Sequence, residues 1–169
     1  FGNSRNIEKI IKIFKENELK DFSFHIVGGP KETSNKLKKL VNELNIKNVI
    51  VHGPLQNMYA IKEMQNACIG LLINSKDNNS LDESSPLKYY EYLASKLKII
   101  ASDIPSHKNL PLIQNIAFFN EDDPEDFISC VLNIKDKKFV QEDLRIYTYE
   151  YRVSSILEFV ARLEGFEPP

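Results

Sequence analysis

Residues 22–30 of the chain read FSFHIVGGP, and the pattern they set is repeated along the sequence. Residues 22–27 form an apolar, β-rich run, which Gly28-Gly29-Pro30 closes with a tight turn. Residues 33–44 carry apolar side chains at spacings of 3, 1 and 3, namely Leu37, Leu40, Val41 and Leu44. That spacing places them on one face of a helix. The segment therefore predicts a buried strand, a tight turn and an amphipathic helix.

The alternation of strand and helix continues in both directions. Further strands are predicted at residues 49–52, 68–73, 97–101 and 116–119. Helices are predicted at residues 7–14, 57–66, 86–95, 124–132, 140–149 and 153–163. Apolar runs separated by helices are typical of a parallel sheet that is covered on both faces. The sequence predicts an α/β fold with a Rossmann-like parallel sheet sandwiched by helices, in one domain over residues 1–164 with a tail at 165–169.

Composition and charge disfavour several classes of function. The 169 residues carry 22 basic and 24 acidic side chains, so no overall positive field attracts nucleic acid. Cys68 and Cys130 lie 62 positions apart, a spacing that fits neither a cysteine zinc motif nor a disulfide framework. We therefore expect both to be core residues of an intracellular protein. The apolar runs are much shorter than the roughly 20 residues that span a bilayer. We therefore expect a cytoplasmic domain that does not bind nucleic acid.

The segment most informative about chemistry is residues 82–94, DESSPLKYYEYLA. Ser85 before Pro86 is typical of a helix N-cap followed by the first turn, and Lys88 falls in that turn. The helix follows a predicted strand, and ligands of parallel sheets bind beyond the carboxyl ends of the strands. Free helix N–H groups and Lys88 would attract a phosphate there. The alternative is a solvated surface lysine.

Two acidic residues of the same segment form a second candidate. Glu83 and Glu91 lie eight positions apart, one in the loop and one in the predicted helix. Carboxylates so placed can accept hydrogen bonds from the hydroxyls of a ribose or another sugar. The alternative is a pair of ordinary surface charges, since the chain has 24 acidic residues.

This segment resembles the donor-binding motif of retaining glycosyltransferases of the GT-B fold, group 1 family. In that motif a glutamate, seven intervening residues and a second glutamate span a loop and a helix, as Glu83 and Glu91 do here. Nearly the whole chain is similar to the C-terminal half of such an enzyme. The other similar segments are residues 24–29, 51–55, 59–72, 99–105 and 117–125.

The resemblance implies roles for the residues of the motif. Glu91 would bind the ribose hydroxyls of a nucleotide-sugar, and Glu83 would contact the donor sugar as the catalytic residue. The N–H of Leu87 and the ammonium of Lys88 would face the diphosphate. Ser84 and Ser85 would belong to the same donor-binding loop.

Four further positions belong to the implied donor site. The backbone of Leu55 would contact the base, and Gly28 and Gly29 would leave room for the donor. Arg5 aligns with the phosphate-binding lysine of the family. Two positions depart from the family pattern: Asn3 stands nearest to the place of a usual arginine, and Pro86 replaces a common glycine.

The implied activity is transfer of a sugar, with retention, from a nucleoside-diphosphate sugar to a glycan or lipid-linked acceptor. The resemblance also implies that no metal or other cofactor is needed, in keeping with the lack of an Asp-x-Asp pair at a predicted strand end. An N-terminal domain outside this chain would hold the acceptor and could dock on the inner face of the membrane. The 169-residue chain alone is expected to bind donor without catalysing transfer. The product would be a surface polysaccharide or a lipid-linked glycan.

Two other functions stay open on the sequence: a non-catalytic Rossmann-like module that binds a nucleotide or a protein, and a nucleotide-sugar epimerase-like domain. NAD binding and ATP hydrolysis are disfavoured because neither Gly-x-Gly-x-x-Gly nor a Walker sequence is present. Among the histidines, His25 is predicted to be a core residue, His52 to lie at the crevice edge and His107 to lie in a loop.

Overall fold

The computed structural model describes residues 7–73, 87–148, 150–151 and 153–157. Strands and helices alternate through most of this part of the chain. The strands are β1 (Phe24–Val27), β2 (Val49–Gly53), β3 (Ile69–Leu72), β4 (Lys98–Ser102) and β5 (Ile116–Phe119). The helices are α1 (Ile7–Ile13), α2 (Lys31–Glu43), α3 (Asn57–Asn66), α4 (Leu87–Ala94), α5 (Pro105–Lys108) and α6 (Pro124–Ile134). Short 3₁₀ helices lie at Asn17–Leu19, Ile113–Asn115 and Leu144–Tyr147.

All strand pairs of the described residues are parallel, and they form two sheets. In the first sheet β1 pairs with β2, with His25 opposite Ile50. In the second sheet β4 lies between β3 and β5, with Ile100 opposite both Leu71 and Ala117. A cavity of about 460 Å³ is lined by residues of both β1 and β3. The predicted α/β class is confirmed, with parallel sheets flanked by helices.

Strand β4 has side chains in cores on both of its faces. Ile100 packs in one core cluster with Ile11, Leu19 and Phe127, whereas Ile99 packs in the other with residues of α4 such as Leu93. Successive side chains of a strand point to opposite faces, so a strand covered on both sides requires an unbroken apolar run. This is the physical origin of the sequence pattern from which the parallel sheet was predicted.

One predicted helix is wrong. Residues 140–143 are not helical, and the segment holds only the 3₁₀ helix Leu144–Tyr147. The backbone of Val140 is bound instead by the buried side chain of Asn115, which donates from Nδ2 to its carbonyl and accepts from its N–H, both at 2.8 Å. The N–H and carbonyl of Val140 thus have their hydrogen-bond partners in a side chain of another segment and not in a helix. Of the last predicted helix, residues 153–157 are helical and the remainder lies outside the described residues.

The cysteines differ from the prediction in one case. Cys130 is buried and donates its S–H to the carbonyl of Phe118 at 3.2 Å, whereas Cys68 is exposed. Cys68 lies between α3, none of whose residues is buried, and β3, which begins at Ile69. It is therefore not part of the strand that was predicted over residues 68–73. Within the described part of the chain, none of the helices has the length and apolar character that crossing a bilayer requires.

Candidate functional site

The loops after β1 and β2 are joined at the carboxyl ends of these strands. The N–H of Gly28 donates to the carbonyl of Gly53 at 2.7 Å, and both glycines have positive φ angles. Ser34 of α2 is buried beneath this contact, and its hydroxyl donates to the carbonyl of Gly28 at 3.3 Å. A Cβ atom at Gly53 would meet Ser34 at 3.4 Å, an ordinary van der Waals contact, so it is the φ of +83° that favours glycine at this position.

The space next to Gly28 is open. A Cβ atom at Gly28 would have no atom within 4 Å, while its φ of +101° favours glycine. Gly29 also has a positive φ, of +81°. Leu55 follows Gly53 in the loop between β2 and α3, and it is partly exposed at 37 %. The predicted positions Gly28, Gly29 and Leu55 thus lie at the same edge of the β1–β2 sheet.

Helix α4 presents the predicted cation and carboxylate side by side. Lys88 Nζ donates to Glu91 Oε2 at 2.6 Å, and both side chains are about half exposed. Residues three apart on a helix are neighbours on its surface, so the spacing alone brings these charges together. Leu87, the first described residue of α4, is 77 % exposed. Its side chain has no part in the core, which is consistent with a role for its backbone.

The opposite face of α4 is anchored in the core. Tyr89 is fully buried, and its hydroxyl donates to the carbonyl of Pro111. Burial, and to a smaller extent Tyr90 and Tyr147, raise the pKa of the Tyr89 hydroxyl above its usual range. Tyr89 and Leu93 belong to the core cluster around Ile99. The buried face of α4 therefore fixes the helix to the core, while Lys88 and Glu91 lie on its exposed face.

Lys88 lies on the wall of the cavity between the two sheets. The same cavity is lined by Val27, which precedes Gly28, and by Ile73 at the end of β3. The predicted cation of α4 therefore shares one cleft with the carboxyl ends of β1 and β3.

Four of the predicted site residues cannot be placed. Arg5, Glu83, Ser84 and Ser85 lie outside the described residues. The proposed catalytic role of Glu83 and the phosphate role of Arg5 therefore stay predictions from the sequence.

The histidines differ most from their predicted positions. His25 is exposed on β1 instead of buried, and its ring contacts His52 of β2 and Glu63 of α3. Sequence reasoning missed this cluster because it weighed each histidine alone. Part of the cluster could have been found from the sequence, since His25 and His52 occupy neighbouring predicted strands. Nothing in the sequence around Glu63 indicates that it lies near them.

His107 is also misplaced by the sequence prediction. It lies in α5 and is 1 % exposed, with its Nδ1 donating to the carbonyl of Ser102 at 2.9 Å. Burial lowers the pKa of the imidazole, and the hydrogen bond to Ser102 opposes that effect. The ring thus acts as a neutral core side chain that connects α5 to β4.

A known family matches most of the chain. The model of a family described as "Glycosyl transferases group 1" matches residues 3–136, which include every strand of the described chain. No curated protein sequence matches the chain.

Proposed function

Because this chain belongs to the group 1 glycosyltransferases, we propose that it binds a nucleoside-diphosphate sugar in the cleft beside α4. In the proposed reaction the sugar passes to a glycan or lipid-linked acceptor with retention of its configuration. The other functions that the sequence left open, a binding module and an epimerase-like domain, make different predictions in the experiment below.

The contact between Lys88 and Glu91 carries this proposal. An ammonium has three donors, and a carboxylate has about four acceptor positions. The 2.6 Å contact uses one of each, so Lys88 keeps two donors for a phosphate and Glu91 keeps acceptors for a ribose diol. Each charge also orients the other, so less side-chain freedom is lost when a ligand binds.

The chemistry that we assign to α4 is stabilisation of the leaving group. Negative charge develops on the diphosphate as the bond to the sugar breaks, and preorganised donors stabilise that charge most effectively. Lys88 and the backbone N–H groups at the start of α4 would supply the donors, and Arg5 would add a second cation. Glu83 would contact the donor sugar. We propose that the transfer itself uses these groups without a metal ion or another cofactor.

The acceptor would be held by an N-terminal domain of the whole enzyme. We propose that this domain completes the active site, so that the 169-residue chain binds donor but does not transfer sugar. The expected setting is the cytoplasm, with the whole enzyme at the inner face of the membrane during synthesis of a polysaccharide or lipid-linked glycan.

The test is an NMR titration of the 169-residue chain with UDP, GDP, ADP and CMP in the absence of metal. One diphosphate should shift the signals of residues near Gly28 and α4. Glu91→Ala should weaken that binding by about 1–3 kcal/mol, the range for a lost hydrogen bond to a charged group.

The matched control is the exposed ion pair Lys39–Glu43 of α2, whose Nζ and Oε1 lie 3.6 Å apart. Glu43→Ala should leave nucleotide binding unchanged. Equal effects of the two variants, or no binding to the chain or to the whole enzyme, would contradict the proposal. Conversion of the sugar by the whole enzyme without an acceptor would favour an epimerase.

A further inference from the structure

Three side chains with metal-binding atoms converge on the face of the β1–β2 sheet next to α3. His25 Nδ1 lies 3.2 Å from both His52 Nε2 and Glu63 Oε2, and the last two atoms lie 3.7 Å apart. His25 comes from β1, His52 from β2 and Glu63 from α3. The register between β1 and β2 shifts at His52, which falls between the pairs Ile26–Val51 and Val27–Gly53. The ring centroids of His25 and His52 lie 5.2 Å apart, so both rings are on the same face.

No placement of hydrogen atoms on the two ring nitrogens makes all three contacts hydrogen bonds. Each nitrogen of a neutral imidazole either donates or accepts. If His25 Nδ1 carries a hydrogen and His52 Nε2 does not, the lone pair of His52 faces the carboxylate. If only His52 Nε2 carries it, His25 presents a lone pair to Glu63 at 3.2 Å. If both carry one, the two N–H groups face each other at 3.2 Å.

A cation at the centre of the three atoms satisfies all of them at once. Bonds of about 2.0–2.2 Å from Zn²⁺ to nitrogen and oxygen place the ligands of a tetrahedral site about 3.3–3.6 Å apart. The observed separations of 3.2, 3.2 and 3.7 Å bracket that range. We propose that His25, His52 and Glu63 bind a divalent transition-metal ion, with Zn²⁺ as the best fit and water as the fourth ligand.

The ligand types select the class of metal. Imidazole suits Zn²⁺ and its neighbours in the first transition series, whereas Mg²⁺ and Ca²⁺ prefer oxygen ligands. The three side chains are 37 %, 23 % and 31 % exposed, for His25, His52 and Glu63 in turn. An ion can therefore enter from solvent, and a water molecule has room at the open position.

The position of α3 indicates what the ion does. None of the residues of α3 is buried, and its Met58 and Tyr59 are at least half exposed. Packing of an apolar face is what normally holds a helix to a sheet. An ion bound by the cluster would attach α3 to β1 and β2 directly, and His52 immediately precedes the Gly53 loop. The ion is thus a structural element that takes no part in the proposed transfer chemistry at Lys88 and Glu91, although His25 and Glu63 line the same cavity as Lys88.

The test uses the 169-residue chain without a polyhistidine tag. Titration calorimetry with ZnCl₂ should show one ion per chain, and CoCl₂ should give the visible absorption of four- or five-coordinate Co²⁺. Zinc should also raise the melting temperature, because a ligand that binds only the folded state stabilises it.

Two variants test the ligands, and two serve as controls. His52→Ala and Glu63→Gln should each weaken zinc binding by at least about tenfold and abolish the rise in melting temperature. Glu43→Gln, on the exposed face of α2, should change nothing. Cys68→Ser should also bind zinc normally, which excludes the exposed thiol as the ligand.

Far-UV circular dichroism checks that each variant is folded, and Glu63→Gln preserves the shape of the side chain if His52→Ala does not fold. Unchanged zinc binding in Glu63→Gln, or no stabilisation of the original chain by zinc, would overturn the proposal. Nucleotide binding by the same samples is measured in parallel, so failure of the metal site and failure of the donor site are distinguishable.

Discussion

The ring of Tyr92 on α4 lies directly against Gly70 of β3. A Cβ atom at Gly70 would come within 2.6 Å of Cγ and Cδ2 of Tyr92, closer than real Cβ contacts allow. The Tyr92 hydroxyl donates to the carbonyl of Leu71 at 3.3 Å, so the ring is fixed at both ends. The lack of a side chain at Gly70 therefore sets the depth at which α4 packs on β3.

Gly70→Ala should destabilise the fold by about 1–3 kcal/mol, because the added methyl group displaces the Tyr92 ring. The measurement is urea unfolding followed by circular dichroism. In a Tyr92→Ala background the same change should be neutral or stabilising by up to about 1 kcal/mol, since alanine is preferred to glycine in a strand. The same cost in both backgrounds would show that the ring is not the cause.

Lys88→Met and Glu91→Gln should each change the free energy of unfolding by less than about 0.5 kcal/mol. The pair is exposed and lies three residues apart on one helix, and such pairs contribute little to stability. Lys39→Met and Glu43→Gln on α2 are the reference for an ordinary surface pair. A loss above about 2 kcal/mol in Glu91→Gln would identify Glu91 as a structural residue instead.

Asp123→Ala should lower stability by about 0.5–2 kcal/mol, the usual effect of removing a helix N-cap. The carboxylate of Asp123 accepts from the N–H groups of Glu125 and Asp126, at 3.1 and 3.3 Å. Asp123→Asn keeps a side-chain oxygen and is expected to retain most of the stability in the same urea experiment. Equal losses in the two variants would show that charge, rather than the hydrogen bonds, is responsible.

Stability should fall as the pH drops below about 6.5, because burial lowers the pKa of His107 in the folded state. The unfolded chain takes up a proton in this range and the folded chain does not, so protonation favours unfolding. For one proton the slope is at most about 1.4 kcal/mol per pH unit, and it ends at the pKa of the folded state.

The measurement for His107 is the urea midpoint between about pH 7.5 and pH 5 for the original chain and for His107→Gln. Glutamine can also donate to the carbonyl of Ser102 but does not titrate. The variant should show a smaller decrease of stability on acidification. Parallel pH profiles would mean that other groups cause the decrease.

The sequence was sufficient to predict the strands and most helices, because β4 is buried on both faces, the side chains of β3 and β5 are at least partly buried, and their apolar runs are unbroken. The predicted start of α6 at Pro124 is also correct, and Asp123 before it is the N-cap, a local effect. The segment after α6 was mispredicted because the buried Asn115 binds the backbone of Val140. That contact joins residues 25 positions apart, and no local pattern reports it.

The candidate site likewise has one part that local sequence predicts and one part that depends on the tertiary fold. Lys88 and Glu91 could be paired from the sequence, because three residues make nearly one helical turn. The cluster of His25, His52 and Glu63 depends on the register of β1 against β2 and on the path of α3. Such information becomes available only when the chain is folded, which is why His25 was assigned to the core.

The central position of β4 determines where the chain resists opening. Both edges of β4 are hydrogen-bonded, whereas each of the other described strands is paired along one edge. Its amide protons can exchange with solvent only after β3 or β5 separates, and its faces also lie in two cores. Local unfolding therefore starts elsewhere, and residues 98–102 lose their protection only when a neighbouring strand separates from β4.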